Sequence, residues 1–187
     1  MSITAESGVT SDLRTLWPQA DKAFIQELLK IYPESAYKGT QSLPSSAETA
    51  EPQLIGDAAF GQISQLFGEY VIDCPTTYMA EAVKATQMPV YKLDFNAGSQ
   101  THGATIAYLF DAEDSTSNST LASYMKSWFL SFAVALDPNA GVVVSTPRWA
   151  GYPSVLYATD TSVKNTVDPD VTKGCDFFHS NPYVVRN

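Results

Sequence analysis

The chain has 187 residues, of which 44% are hydrophobic and 12% aromatic, and this composition is typical of a globular protein of one domain with a core of its own. The formal net charge is −9 and only 17% of the residues are charged, so the acidity comes from scarce lysine and arginine. A surface short of positive charge argues against binding to nucleic acid or to anionic lipid. No apolar run is long enough to span a bilayer, and the N-terminus lacks the basic start and apolar stretch of a signal peptide.

The first third of the chain predicts one clear helix between two irregular stretches. Residues 3–8 read as a loop or strand end that leads into a short helical turn. Apolar residues at helical spacing predict a helix from Ala20 to Ile31, and Pro33 ends it because proline disfavours helix in the residue before it. Residues 34–52 are rich in serine, threonine, alanine, proline and glycine without periodicity, which predicts a long loop.

The middle of the chain predicts two further helices and a strand. Apolar residues three and four apart predict a helix over 58–72. We expect Pro75 to break it, and Thr76 or Thr77 to cap a second helix that runs to about residue 86. A strand over 90–95 follows the turn at Met88-Pro89.

The second half carries the strongest helical pattern. A stripe of aromatic and aliphatic residues predicts a helix from Asn118 to Leu136, and the turn Asp137-Pro138-Asn139 ends it. An aromatic turn over 147–153 precedes a short strand over 155–158. Two or three strands are too few for a parallel α/β sheet of its own, so the chain looks like part of a larger sheet.

His102 is the strongest candidate for a catalytic residue. The strand over 90–95 runs into a Gly98-Ser99-Gln100 loop that delivers His102 and Gly103. Imidazole is the side chain best suited to moving protons near neutral pH, and loops at strand ends often carry such groups. A hydrogen-bonded loop histidine is the other interpretation, and spacing alone favours it. The second histidine, His179, reads as a surface residue; the two histidines are far apart and show no metal-ligand spacing, so no metal site is expected.

The two cysteines, Cys74 and Cys175, lie about 100 residues apart and belong to no Cys-x-x-Cys motif. From the residues alone, they are either two buried thiols or one disulfide that closes a long loop. One sequon, Asn118-Ser119-Thr120, is compatible with glycosylation in a secreted chain.

Several motifs occur in an order that matches one family. They are Asp73-Cys74-Pro75-Thr76, the strand 89–96, the histidine with its downstream Tyr108-Leu109-Phe110, the aromatic helix that ends at Asp137-Pro138-Asn139, the turn from Trp149 to Tyr152, and Cys175-Asp176-Phe177-Phe178. Over about residues 55–180 the chain resembles the C-terminal third of type B carboxylesterases, the cholinesterase-like α/β-hydrolases that include fungal secreted lipases. The resemblance implies an α/β fold class, namely the C-terminal portion of an α/β-hydrolase fold, mostly helices with two or three strands. Residues 1–187 would then form a single partial domain.

The resemblance also implies a Ser-His-Glu triad that acts by acyl transfer. His102 matches the family's general base. Glu6, in Thr4-Ala5-Glu6-Ser7-Gly8 and 96 residues before His102, is the match for the acid, although Ser7 separates it from the glycine that directly follows the family's glutamate. The Gly-x-Ser-x-Gly motif that carries the nucleophile occurs nowhere in the chain, so we expect no activity from the chain alone. No cofactor or metal is implied.

The resemblance further implies a small-molecule or lipid ester as substrate of the complete enzyme, and the missing N-terminal portion of the fold as a partner. The family is extracellular, which favours a disulfide between Cys74 and Cys175 and leaves the location of the chain itself unknown. The alternative function is a non-catalytic cholinesterase-like binding or interaction module.

Overall fold

The computed structural model describes residues 6–38, 58–99, 103–112, 115–182 and 184–185, apart from the side chains of residues 6 and 7. The helices among them are α1 (Glu6–Leu16), α2 (Lys22–Ile31), α3 (Ala58–Gly68), α4 (Cys74–Ala85), α5 (Thr105–Phe110), α6 (Ser119–Ala135) and α7 (Lys173–Ser180). The strands are β1 (Lys92–Asn96), β2 (Ser154–Thr159) and β3 (Val163–Val167).

The chain divides into two units, and the division falls inside α4. The first unit comprises Met1–Met79 and Pro169–Asn187, and the second comprises Ala80–Asp168. Among the described residues, no helix combines the length and the apolar character that crossing a bilayer requires.

In the first unit, α1 corrects the prediction of a loop or strand end over residues 3–8, since helix already begins at Glu6 and continues for 11 residues. Val9, Leu13 and Trp17 are fully buried and lie four residues apart, which places them on one face of the helix. Serine, threonine and glycine around this stripe are poor helix formers. The helix therefore forms because its apolar stripe packs on the core, although the local helix propensity of the sequence is low.

The second helix confirms its prediction closely. Asp21 caps α2 by accepting a hydrogen bond from the backbone N–H of Phe24 at 2.8 Å, and Phe24, Ile25 and Leu28 are buried. The helix ends at Ile31, two residues before Pro33. A single turn of 3-10 helix, Glu34–Tyr37, follows, and the rest of the predicted loop over 34–52 lies outside the described residues from residue 39 onward.

The expected break at Pro75 is wrong. A π-helical turn, Glu69–Asp73, joins α3 to α4, and Cys74 opens α4 without an intervening loop. Proline lacks a backbone N–H and is tolerated most easily in the first turn of a helical segment. Pro75 sits in that first turn, and the Thr76 hydroxyl donates to the carbonyl of Ile72 at 2.6 Å. Helix therefore continues through Pro75, with the π-helical turn directly before α4.

The last helix, α7, begins after Thr172, whose hydroxyl accepts from the backbone N–H of Cys175 at 3.1 Å. Cys175 is disulfide-bonded to Cys74, with 5.1 Å between the two Cα atoms, and this bond resolves the choice that the sequence left open. Glu69 lies near both sulfur atoms, but cysteines in a disulfide have no thiolate to offer a metal ion.

The second unit holds a three-stranded sheet in the order β1-β2-β3. β1 pairs with β2 in parallel, with Lys92 opposite Val155, and β2 pairs with β3 in antiparallel fashion. β1 and β2 confirm the predicted strands. β3 was not predicted, because its sequence Val-Lys-Asn-Thr-Val is polar and none of its residues is buried.

Helix α6 also confirms its prediction. The side chain of Asn118 accepts from the backbone N–H of Leu121, and Leu136 ends the helix in the left-handed conformation with φ of 57°. The buried face packs on the turn over 147–153: the rings of Trp128 and Trp149 meet edge to face at 5.8 Å between centroids. The predicted turn at Asp137 is present, since its carboxylate accepts from the backbone N–H of Asn139.

Candidate active site

The predicted strand precedes His102 in the chain, and helix α5, which was not predicted, follows it. β1 ends at Asn96, and the chain passes through Gly98 before the described residues stop at 99. They resume at Gly103, whose carbonyl accepts from the backbone N–H of Ile106 at 2.9 Å as α5 begins. His102 itself lies outside the described residues, so its role as a general base stays a prediction.

Gly98 occupies a position that glycine alone fills easily. Its φ is +62°, and a Cβ atom there would lie 3.2 Å from the hydroxyl oxygen of Tyr108. Tyr108, on α5, is buried and packs edge to face on Phe95 at 5.1 Å between centroids. The end of β1 and the beginning of α5 are therefore packed closely against each other.

Asp160, at the end of β2, accepts hydrogen bonds from three separate segments. Its carboxylate lies 3.0 Å from the backbone nitrogen of Gly98, 3.0 Å from the hydroxyl of Tyr108 and 2.9 Å from the hydroxyl of Ser117. Burial disfavours the charged carboxylate, but these three hydrogen bonds outweigh that effect and hold the pKa of Asp160 below its ordinary value. The pKa of Tyr108 is raised, chiefly by burial, so its hydroxyl stays protonated and donates.

The side chain of Asn118, the acceptor residue of the sequon, is engaged at both of its polar atoms. Its Oδ1 caps α6, while its Nδ2 donates to the backbone carbonyl of Asp160 at 2.6 Å. A glycan on Nδ2 would have to preserve or replace the second hydrogen bond. Glycosylation of Asn118 stays a prediction.

An open concavity of about 480 Å³ lies beside this cluster. Its walls come from Gly98 and Ser99 at the end of β1, from Gly103 and α5, and from residues 115–117. The residues on either side of His102 in the sequence therefore border one concave surface.

Glu6, the predicted acid, is the first residue of α1 in the first unit, and its side chain lies outside the described part of the structure. The sequence placed it in a loop, whereas it begins a helix. Its pairing with His102 stays a prediction.

Two clusters of buried polar side chains were not predicted from the sequence. In the second unit, the Lys92 ammonium lies 2.8 and 2.9 Å from the carboxylate oxygens of Asp168. In the first unit, the buried carboxylate of Glu69 accepts from the hydroxyls of Tyr32 and Thr172, each at 2.7 Å. The partners in each cluster are far apart in the sequence, so no local pattern could predict that they pair. The sequence showed only a charged residue among apolar neighbours.

Comparison with known proteins identifies the fold. No protein-family model and no curated protein sequence matches the chain. Among solved structures, 34 chains match. One is the crystal structure of Aspergillus niger EstA, with a TM-score of 0.77 and 18% sequence identity over 98% of this chain. The match spans 37% of the EstA chain. The predicted fold is confirmed: the chain is mostly helical with a three-stranded mixed sheet, and its fold is that of part of EstA.

Proposed function

We propose that the chain is the part of a carboxylic ester hydrolase that supplies the general base, His102, to a Ser-His-Glu triad. The observation that carries this proposal is the fold: 98% of the chain superimposes on EstA, yet it accounts for only 37% of that protein. The framework around residue 102, with β1 and Gly98 before it and Gly103 and α5 after it, gives further support. A strand that leads through a short loop into a helix is a suitable mounting for a catalytic group.

The chemistry assigned to each residue follows from the triad. A serine in the remaining part of the enzyme attacks the ester carbonyl while the imidazole of His102 takes its proton. When the tetrahedral intermediate collapses, the imidazolium returns that proton to the leaving alcohol. Water then hydrolyses the acyl-enzyme with the same imidazole as base. Glu6 holds the imidazole in the required tautomer and stabilises the imidazolium.

The substrate class is a small-molecule or lipid ester, and the reaction needs neither metal nor cofactor. Because the sequence contains no Gly-x-Ser-x-Gly motif, the chain acts together with a portion that supplies the serine and the oxyanion hole. The disulfide between Cys74 and Cys175 supports an extracellular setting, where such bonds persist.

The test is reconstitution. The chain is mixed, or co-expressed, with the nucleophile-bearing portion of a matching α/β-hydrolase esterase, and hydrolysis of p-nitrophenyl esters is followed. We expect turnover from the complex, none from either part, and a loss of about 10³-fold or more when His102→Ala is introduced. His179→Ala is the matched control, since His179 is the second of the two histidines and is expected to leave the rate unchanged. A fully active His102→Ala complex contradicts the assignment.

The alternative, a non-catalytic interaction module, draws on one observation. Several large apolar side chains of α6 and the segment after it are exposed, among them Leu130, Val134 and Val144. Exposed apolar patches of this kind mark surfaces that another protein element covers. In the esterase proposal that element is the rest of the fold. A complex that assembles stably but shows no turnover in any pairing would favour the module.

A further inference from the structure

The apolar stripe of α6 is buried at one end and exposed at the other. Leu121, Met125, Trp128, Phe132 and Leu136 follow one another at intervals of three or four residues, so they lie along one side of the helix. The first three are at most 1% exposed, whereas Phe132 is 44% exposed and Leu136 72%. Among the residues that the structure describes, the cover of this stripe therefore ends between Trp128 and Phe132.

A cavity of about 230 Å³ lies where this cover ends, and we call it the aromatic groove. One leucine and one proline line it together with five aromatic side chains, those of Tyr91, Trp128, Phe129, Phe132 and Trp149. All of these residues belong to the second unit. Because Phe129 and Phe132 are about half exposed, the groove opens to the surface beside α6.

The polar atoms of the aromatic side chains are bonded away from the groove. The indole N–H groups of Trp128 and Trp149 donate to backbone carbonyls at 3.0 and 3.1 Å. The hydroxyl of Tyr91 lies 3.4 Å from a carboxylate oxygen of Asp137. A polar or charged occupant would lose water in the groove without gaining a partner. The walls therefore select an apolar occupant.

The size of the groove favours a side chain over a whole ligand. Ligand pockets in proteins usually enclose roughly 300–1,000 Å³. A cavity of roughly 150 Å³ already admits one benzene ring. The groove therefore has room for one large apolar side chain. The exposed end of the stripe, Phe132 and Leu136, extends the apolar surface beyond the cavity, which suits a protein segment that lies across it.

The walls of the groove are fixed by contacts within the second unit. The side chain of Asn139 accepts from the backbone N–H of Trp149 at 2.8 Å and donates to the carbonyl of the same residue at 3.0 Å. The Trp149 ring packs edge to face on Trp128 at 5.8 Å and on Tyr91 at 6.1 Å between centroids. A pocket that is already formed loses little side-chain freedom on binding, so its contacts yield more affinity.

We infer that the aromatic groove and the exposed end of the α6 stripe form the docking surface for the remaining portion of the esterase, which inserts a large apolar side chain into the groove. This inference rests on the proposed function and deepens it by stating the chemistry of the partner. The match to EstA indicates this occupant, since it covers 98% of this chain but only 37% of EstA. A protein of that fold has further chain to place against such a surface. Anchors of this kind, seated in a pocket, carry much of the binding energy of an interface.

The first test measures binding without turnover. The nucleophile-bearing portion used for reconstitution carries alanine in place of its serine and is co-expressed with the chain, and the dissociation constant of the complex is measured by analytical ultracentrifugation. We expect Phe132→Glu to weaken the complex at least about 30-fold, because it brings an unpaired charge into the groove. Val171→Glu, at an exposed apolar residue of the first unit, is the matched control and should leave the dissociation constant unchanged.

The second test probes the groove in the isolated chain. Toluene, which has the shape of a phenylalanine side chain, is titrated against the labelled chain, and the indole N–H signals of its three tryptophans are followed by NMR. We expect the signals of Trp128 and Trp149 to shift, while that of Trp17, in the core of the first unit, stays in place. Phe132→Glu should abolish the shifts. If that variant does not fold, Leu136→Glu, at the more exposed end of the stripe, should still weaken the complex about 10-fold.

Each outcome decides the inference. Equal dissociation constants for the parent and the glutamate variants overturn it, and so do indole signals that toluene leaves unshifted. A parent chain that does not bind the portion but associates with itself through Phe132 shows that a second copy occupies the groove, which also overturns it. Failure of the proposed function has a different sign: the variants lose binding as expected, yet the parent complex with its serine intact hydrolyses no ester.

Discussion

At the scale of single residues, the ion pair of Lys92 and Asp168 is the most consequential contact that the sequence conceals. The two side chains are only 4% and 2% exposed, and the ammonium contacts both carboxylate oxygens. A buried charge that loses its partner is costly because water cannot replace the partner. The pair links the first residue of β1 to the residue after β3, and so supports the three-stranded sheet.

We predict that Lys92→Met lowers the free energy of unfolding by about 3–5 kcal/mol, as is typical when one member of a buried pair is removed. Urea unfolding followed by circular dichroism measures the loss. The exposed pair Lys30–Glu27, with side chains 72% and 54% exposed, provides the control, and Lys30→Met should cost less than about 1 kcal/mol. Equal losses for the two variants would show that the buried pair has no special role.

At the scale of elements, the contact between α7 and the core depends on one glycine. A Cβ atom on Gly174 would lie 1.7 Å from the hydroxyl oxygen of Tyr32 and 2.5 Å from a carboxylate oxygen of Glu69. Burial, followed by the hydrogen bond to Glu69, raises the pKa of Tyr32 far above its ordinary value, so the hydroxyl remains a donor. Any larger residue at 174 must displace this hydrogen bond.

Gly174→Ala should therefore destabilise the protein by about 1–3 kcal/mol through overpacking, although alanine is the better helix former. Gly8→Ala is the matched variant: Gly8 is also helical, but nothing lies within 4 Å of its added Cβ atom. That substitution should stabilise α1 by about 0.5–1 kcal/mol. Thermal melts of the two variants, shifted in opposite directions, test both statements together. A Gly174→Ala protein as stable as the parent would contradict the steric argument.

The disulfide joins the beginning of α4 to α7 across a sequence separation of 101 residues. In the loop-entropy model, closing a loop of this length stabilises the native state by about 4–5 kcal/mol. We expect reduction, or the double change Cys74→Ser and Cys175→Ser, to lower the unfolding midpoint correspondingly. Alkylation followed by mass measurement checks the bond itself. No adduct should form before reduction and two should form after it; two adducts without reductant would disprove the bond.

At the scale of the whole molecule, the exposed apolar side chains of α6 indicate a surface that further protein would cover in a larger fold. Phe129 and Phe132 are 44% exposed, Leu130 66% and Val134 87%. The buried face of the same helix carries Trp128, which is fully buried. A helix that is apolar on both sides is typical of the interior of a larger protein.

We predict that the isolated chain binds a hydrophobic dye and associates as its concentration rises. The double variant Leu130→Glu and Val134→Glu should reduce both effects and change the free energy of unfolding by less than about 0.5 kcal/mol, because both sites are exposed. Trp128→Ala, on the buried face, should instead destabilise by about 3–5 kcal/mol. Light scattering and dye fluorescence measure the surface effects. A parent chain that stays monodisperse and does not bind dye would favour a self-contained module.

The sequence by itself determined the elements whose signals are local. Helix α6 was predicted almost to the residue, because its apolar stripe, its Asn118 cap and the Asp137 turn all lie within the element or next to it. The same holds for α2 and for strands β1 and β2. The order of short motifs also sufficed to predict the α/β-hydrolase fold, which the match to EstA confirms.

The tertiary structure decided what depends on distant partners. Helix α1 forms because Val9, Leu13 and Trp17 find a core. β3 forms because β2 offers it an edge. Helix continues through Pro75 after a π-helical turn, and Cys74 forms a disulfide with Cys175. The spacing of residues in the sequence predicts neither feature. Asp160 lies 62 residues from Gly98 and 52 from Tyr108, so no local pattern could have shown that its carboxylate accepts hydrogen bonds from both. Periodicity reports which face of an element is apolar, whereas only packing brings together the polar groups that position a site.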